Sequence, residues 1–264
     1  MASSSTPTSV KHAAADAKRL QKDIVLLQEV VVSFDGFKAL DILEFYVERD
    51  ELRVVIGPNG AGKTTLCDVI SGKTRVSSGR VYFDGIETTH MADAEIARHG
   101  VGRKFQTPTV FDSLTVYDNM ILALPGRRSV WRNLLGKETV EERDLILHIL
   151  DRVHLLDELA TPTKYLSHGQ RQWLEISMLI VADPKLLLVD EPAAGLTDKE
   201  THLTAELLLE LKGHHTIIVI EHDMDFVRQL ASRTTVLDNG QLLSQGSMDD
   251  VQKDPKVIEA YLGR

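Results

Sequence analysis

Gly57-Pro58-Asn59-Gly60-Ala61-Gly62-Lys63-Thr64-Thr65 fits the pattern G-x-x-x-x-G-K-[ST] immediately after an apolar run ending at Ile56. A strand that runs into a glycine-rich turn and then a helix is the setting in which this pattern cradles phosphate. Successive backbone N–H groups turn inward on the phosphate oxygens, and the helix start adds the positive end of its dipole. In that role Lys63 reaches the β- and γ-phosphates, and the Thr64 hydroxyl sits on Mg²⁺.

A second group of residues would supply the rest of a hydrolytic site. Leu186-Leu187-Leu188-Val189 reads as a buried strand that ends in two adjacent carboxylates, Asp190 and Glu191. Consecutive side chains on a strand diverge, so the two serve different purposes. Asp190 is expected to hold the Mg²⁺ shell and Glu191 to polarise an attacking water. His222 follows another buried run, Thr216 to Glu221, and is placed to contact the γ-phosphate and orient that water. Such chemistry needs positioning and charge neutralisation more than covalent steps. Phe34, at the end of the first strand, is either a core residue or a flat platform for a base. Cys67 is expected to be a packed small residue.

These residues need a scaffold of alternating strands and helices. From Ile24 onward β-branched runs (Asp23–Ser33, Ala39–Val47, Leu52–Ile56, Gly79–Phe83) precede or follow helical patterns, which argues for an α/β core. Asp84-Gly85 reads as a turn. From about Ser113 to Leu166 the β signal fades, and Ile146, Ile149, Leu150 and Val153 mark one helical face. A later helix carries Leu203, Leu207, Leu208 and Leu211, with Thr197 and Glu200 at capping-box spacing and Gly213 at its end.

The chain has 264 residues, 30 Lys+Arg against 39 Asp+Glu and a net charge of -9. That balance disfavours a nucleic-acid partner, because no overall positive field attracts phosphates. A single cysteine excludes an intrachain disulfide and points to a reducing compartment. The apolar runs are far shorter than the roughly 20 residues of a membrane-spanning helix. Residues 1–22 lack the apolar segment of a secretory signal and read as a disordered tail; a Ser-rich transit-like segment is the other reading, opposed by Asp16 and Asp23. Gly126 to Arg132 gathers basic residues, read as a solvated helical face or a contact for a membrane subunit or lipid headgroups.

Leu166-Ser167-His168-Gly169-Gln170 completes a set that resembles the ATPase subunits of ABC transporters. The family signature is LSGGQ, and His168 stands where its first glycine would be. The resemblance covers about residues 24–263. It implies a P-loop NTPase cassette over 23–264: a RecA-like α/β core, an antiparallel β subdomain, and a helical subdomain inserted at about 107–182. It implies ATP as substrate with Mg²⁺, Gln106 as the sensor of metal and γ-phosphate, Phe34 as adenine platform and His222 as switch histidine. Ser167, His168, Gly169 and Gln170 would contact ATP held by a partner. Ala194-Gly195-Leu196-Thr197 occupies the position of the family's D-loop.

Finer similarity points to importers of branched-chain amino acids and urea. It rests on Arg103 to Pro108, Glu191 to Leu196, Ile220 to Met224 and Val257 to Gly263. Leu166 to Glu175 is most similar to the urea-importer D subunit, which makes urea the expected solute and branched-chain amino acids the alternative. The resemblance implies a second ABC ATPase chain, related or identical, together with membrane permease subunits and, indirectly, a solute-binding protein. The chain would then sit peripherally on the cytoplasmic face of the inner membrane. Two other classes remain open: a soluble non-transport ABC ATPase, and a nucleotide-responsive module without turnover. Retention of both Glu191 and His222 disfavours the latter.

Overall fold

Long β-branched stretches pair first. β1 (Asp23–Phe34) and β2 (Phe37–Glu48) form a hairpin in which Val25 faces Val47, Leu27 faces Phe45 and Val30 faces Ile42. The structure, a computed structural model, describes residues 19–104, 110–125 and 138–262. β3 (Leu52–Ile56) leaves the hairpin for a second sheet, α1 (Lys63–Ile70) follows, and β4 (Ser78–Phe83) with β5 (Ile86–Glu87) returns to the first. That sheet is antiparallel in the order β2-β1-β4-β5.

α2 (Asp93–His99) leads into β6 (Val101–Lys104); among the described residues the α-helices α3 (Val116–Ala123), α4 (Val140–Arg152) and α5 (His168–Val181) come next. β7 (Leu186–Asp190), α6 (Asp198–Leu211), β8 (Thr216–Ile220), α7 (Met224–Leu230), β9 (Arg233–Asp238) and β10 (Gln241–Gly246) complete the main sheet. Its order is β10-β9-β3-β8-β7-β6, parallel except for the β9–β10 pair. α8 (Met248–Lys253) and α9 (Pro255–Leu262) end the described chain.

Apolar side chains on both faces of β3, β7 and β8 explain why these strands sit at the centre of the sheet. Val55, Leu188 and Ile218 join one cluster with β1, β2 and α1, including Leu66 and Cys67. Val54, Leu187 and Val219 join another with α6, α7 and α8. Each fully buried aliphatic side chain contributes about 1.5–3 kcal/mol. A third cluster joins α3, α4 and α5, and includes the expected Ile146, Ile149, Leu150 and Val153. Thr197 and Glu200 form the capping box of α6, whose Leu207 and Leu208 are buried.

Of the tail expected over 1–22, residues 1–18 lie outside the described residues. Residues 19–22 form a helical turn tied to β2 by the pairs Arg19–Glu44 and Lys22–Glu48. The basic segment 126–132 and Gln106 also lie outside the described residues. Among the described residues no helix is long and apolar enough to cross a membrane.

Candidate nucleotide and hydrolysis site

β3 delivers the chain to the loop, and close backbone approaches dictate its glycines. A Cβ on Gly57 would lie 2.2 Å from the carbonyl oxygen of Leu237 at the end of β9. At Gly62, where φ is +99°, it would lie 2.7 Å from that of Ala39 on β2. Gly62 caps α1 without any side-chain hydrogen bond, so the first N–H groups of the helix have no internal acceptor. Ala61 is buried and Pro58 half-buried, whereas Asn59, Gly60 and Thr64 are exposed and Thr65 is half-exposed.

Lys63 folds back over this loop. Its Nζ donates to the carbonyl oxygens of Gly57 (2.8 Å) and Pro58 (3.0 Å), and the residue is only 8% exposed. Burial pulls its pKa below the usual lysine value, and the charges of Glu191 and Asp190 oppose that shift. A phosphate entering the loop would act in the same direction as those carboxylates, stabilising the ammonium.

Asp190 is the buried end of β7, 3% exposed, with no hydrogen-bond partner for either carboxylate oxygen among the described residues. Burial raises its pKa above the usual carboxylate range, the charge of Glu191 adds to the rise, and Arg103 and Lys104 counter it. A buried carboxylate without a donor is costly unless a cation meets it. Mg²⁺ fits this arrangement, with Asp190 and the exposed Thr64 hydroxyl as the described residues that would hold it. No cluster of three or more His, Cys, Asp or Glu that could hold a metal occurs among the described residues.

Glu191 turns away from Asp190. Its φ of +49° takes the chain out of the strand, while its N–H still donates to the Ile220 carbonyl of β8 at 2.9 Å. Left-handed backbone at a non-glycine residue is a local strain of the sort that collects at functional sites. The resulting carboxylate is about one-third exposed, with Oε1 3.5 Å from Nδ1 of His222. The adjacent β7 and β8 therefore bring Glu191 and His222 together at one end of the sheet.

Glu221 organises this end, although its place in the sequence alone assigns it no role. It is 1% exposed; Oε1 accepts from the Ala193 N–H (2.9 Å), and Oε2 accepts from the N–H groups of His222 (2.9 Å) and Asp223 (3.3 Å). One buried carboxylate thus joins the turn after Glu191 to the turn carrying His222. The available signal was an acid between a continuous apolar strand and a candidate catalytic histidine.

Phe34 is 52% exposed, which removes its reading as a core residue. It faces Phe37 across the hairpin, and the nearby Ala39 lies against Gly62, so the hairpin tip adjoins the loop. Cys67 is buried in α1, as expected, and burial pushes its thiol pKa up.

Ser167 and Gln170 form a capping box at the start of α5. Ser167 Oγ accepts from the Gln170 N–H (3.2 Å), and Gln170 Oε1 accepts from the Ser167 N–H (2.9 Å). Their S-x-x-Q spacing is a sequence signal for this cap. A Cβ on Gly169 would lie 2.3 Å from Oε1 at the end of the Glu200 side chain, which would have to shift to admit it. The His168 side chain is directed at Ala194 of its own chain. Among the described residues, the hydrogen bonds of Ser167, His168 and Gln170 run to α5 and to Ala194, none to the phosphate loop.

Comparison with known proteins places this geometry in context. A family model described as "ABC transporter" matches residues 40–194, and one described as "Branched-chain amino acid ATP-binding cassette transporter" matches 241–264. The chain is 35% identical over 248 residues to a probable branched-chain amino acid transport ATP-binding protein LivG of Archaeoglobus fulgidus, covering 91% of this chain and 95% of that one. It is 32% identical over 253 residues to the high-affinity LivG protein of Salmonella typhimurium, covering 92% and 99%. A crystal structure of a nucleotide-free ATP-binding cassette from an ABC transporter superimposes with a TM-score of 0.79 at 32% identity, over 92% of this chain and all of that one.

Proposed function

The chain belongs to the ABC transporter family and is an ABC ATPase; on that premise we propose that it powers a membrane importer for branched-chain amino acids. The observation that carries this reading is the juxtaposition of the Lys63 loop, Asp190, Glu191 and His222 at one end of a parallel sheet. The relatives' names, and the match over 241–264, support the solute.

Each residue then has a defined task. The loop N–H groups and Lys63 hold the β- and γ-phosphates, and Phe34 stacks on the base. Mg²⁺ bound with ATP would neutralise charge on the phosphates; Thr64 and Asp190 would hold it, joined by Gln106 as the family resemblance implies. Glu191 polarises the attacking water, held in orientation by His222, which Glu221 fixes through its backbone. Ser167 and the N–H groups at the start of α5 complete the ATP site of a second ABC chain. Loss of the shared γ-phosphate removes the contact that favours closure. The permease binds beside the helices α3 to α5 on the cytoplasmic face, and a solute-binding protein delivers the cargo.

Urea is the second reading, favoured by the run Leu166 to Glu175. Reconstitution with the permease and candidate solute-binding proteins separates the two. ATP turnover should rise severalfold with a protein loaded with leucine, isoleucine or valine and not with a urea-loaded one. Stimulation by the urea-loaded protein alone would reverse the assignment, and turnover indifferent to any permease would favour a non-transport ATPase.

A further inference from the structure

His168 has a partner inside its own chain. Its Nε2 lies 3.2 Å from the carbonyl oxygen of Ala194. Gln172, one helical turn later on α5, brings its Nε2 to 2.9 Å from the same oxygen and 3.1 Å from the histidine ring nitrogen. The next residue, Gly195, has φ +73°, and a Cβ on it would lie 3.1 Å from His168 Nε2. The turn after Glu191 therefore packs directly on the imidazole.

A single ring nitrogen cannot donate to Ala194 and accept from Gln172 at once. With Nε2 unprotonated, the Gln172 amide donates to both acceptors. With Nε2 protonated, the ring N–H itself donates to the Ala194 carbonyl. In both arrangements a donor from α5 holds the Ala194 carbonyl.

We propose that His168 is a positioning residue which, with Gln172, fastens the 191–197 turn to the start of α5. Ser167 and the segment following Glu191 then move as one body when two chains close on ATP. Glycine at this position has no side chain with which to make the connection. The inference rests on the reading of a nucleotide shared between two chains and adds to it an internal coupling between the segments that complete the shared site.

Hydrogen exchange in the full chain reads the fastening without reference to turnover. His168→Gly should speed exchange of amides in a peptide spanning 191–197 about fivefold, the size of one modest hydrogen bond. The β8 amides should keep their rates, and His168→Gln, whose amide nitrogen can take the place of Nε2, should restore slow exchange at 191–197. Steady-state kinetics with the partner subunits present reads the coupling: His168→Gly should lower kcat about fivefold with the KM for ATP within twofold of wild type, and His168→Gln should recover most of the loss. Unchanged exchange at 191–197, unchanged or raised kcat in His168→Gly, or equal losses in both variants would overturn the proposal. Full turnover by solitary chains would defeat the shared-nucleotide reading and with it the coupled movement, while the exchange result would still report on the fastening.

Discussion

Glu191→Gln is expected to bind ATP with close to wild-type affinity and to release phosphate at least about 10²-fold more slowly, the scale of a lost general base. The exchange is nearly isosteric, and the N–H that anchors residue 191 to the Ile220 carbonyl belongs to the backbone. Neither loop carbonyl that holds Lys63 is disturbed. The variant loses the carboxylate that stands 3.5 Å from His222 and could accept a proton from water. Phosphate release beside titration with a fluorescent ATP analogue separates the two effects. Wild-type release would remove Glu191 from its assigned role.

Lys63→Ala acts on the other half of the site and is expected to abolish tight ATP binding, with affinity falling about 10²-fold or more. Its ammonium is held in place before nucleotide arrives, by two carbonyls of the loop it serves. Removing it takes away charge-assisted hydrogen bonds to phosphate, which are stronger than neutral ones. It also leaves Asp190 and Glu191 facing the triphosphate with less compensating charge. Titration of the folded variant, checked for a wild-type circular dichroism spectrum, measures the loss; affinity within threefold of wild type would contradict the assignment.

The parts of the fold that were legible in advance are those in which local pattern and tertiary placement agree. β7 and β8 are nearly continuous apolar runs, and β3 one interrupted by the buried Arg53, because helices or the hairpin sheet cover both faces, and the phosphate loop is encoded by residue types that the backbone geometry requires. β6 and β9 were not legible. Val101-Gly102-Arg103-Lys104 has no strand-like alternation; its cations are buried because distant acids meet them, Asp68 at 2.5 Å from Arg103 and Glu175 at 3.8 Å from Lys104. β9 contains Thr234 and Thr235, fully buried, with Thr235 accepting a hydrogen bond from the buried Arg53. Such burial is visible only once the sheet is assembled. Glu221 is the same case within the site: a carboxylate becomes a joint between two turns only when β7 and β8 are neighbours. The antiparallel sheet followed from family resemblance rather than from periodicity, since one run of strands could have entered either sheet.

The central claim is that each ATP is completed by a second ABC chain, through Ser167 and the start of α5. Turnover per chain as a function of protein concentration tests it most directly. The account predicts that specific activity collapses on dilution to solitary molecules and returns when a partner ATPase chain, identical or related, is added in excess. Constant turnover per chain at concentrations where sedimentation shows only monomers would contradict it.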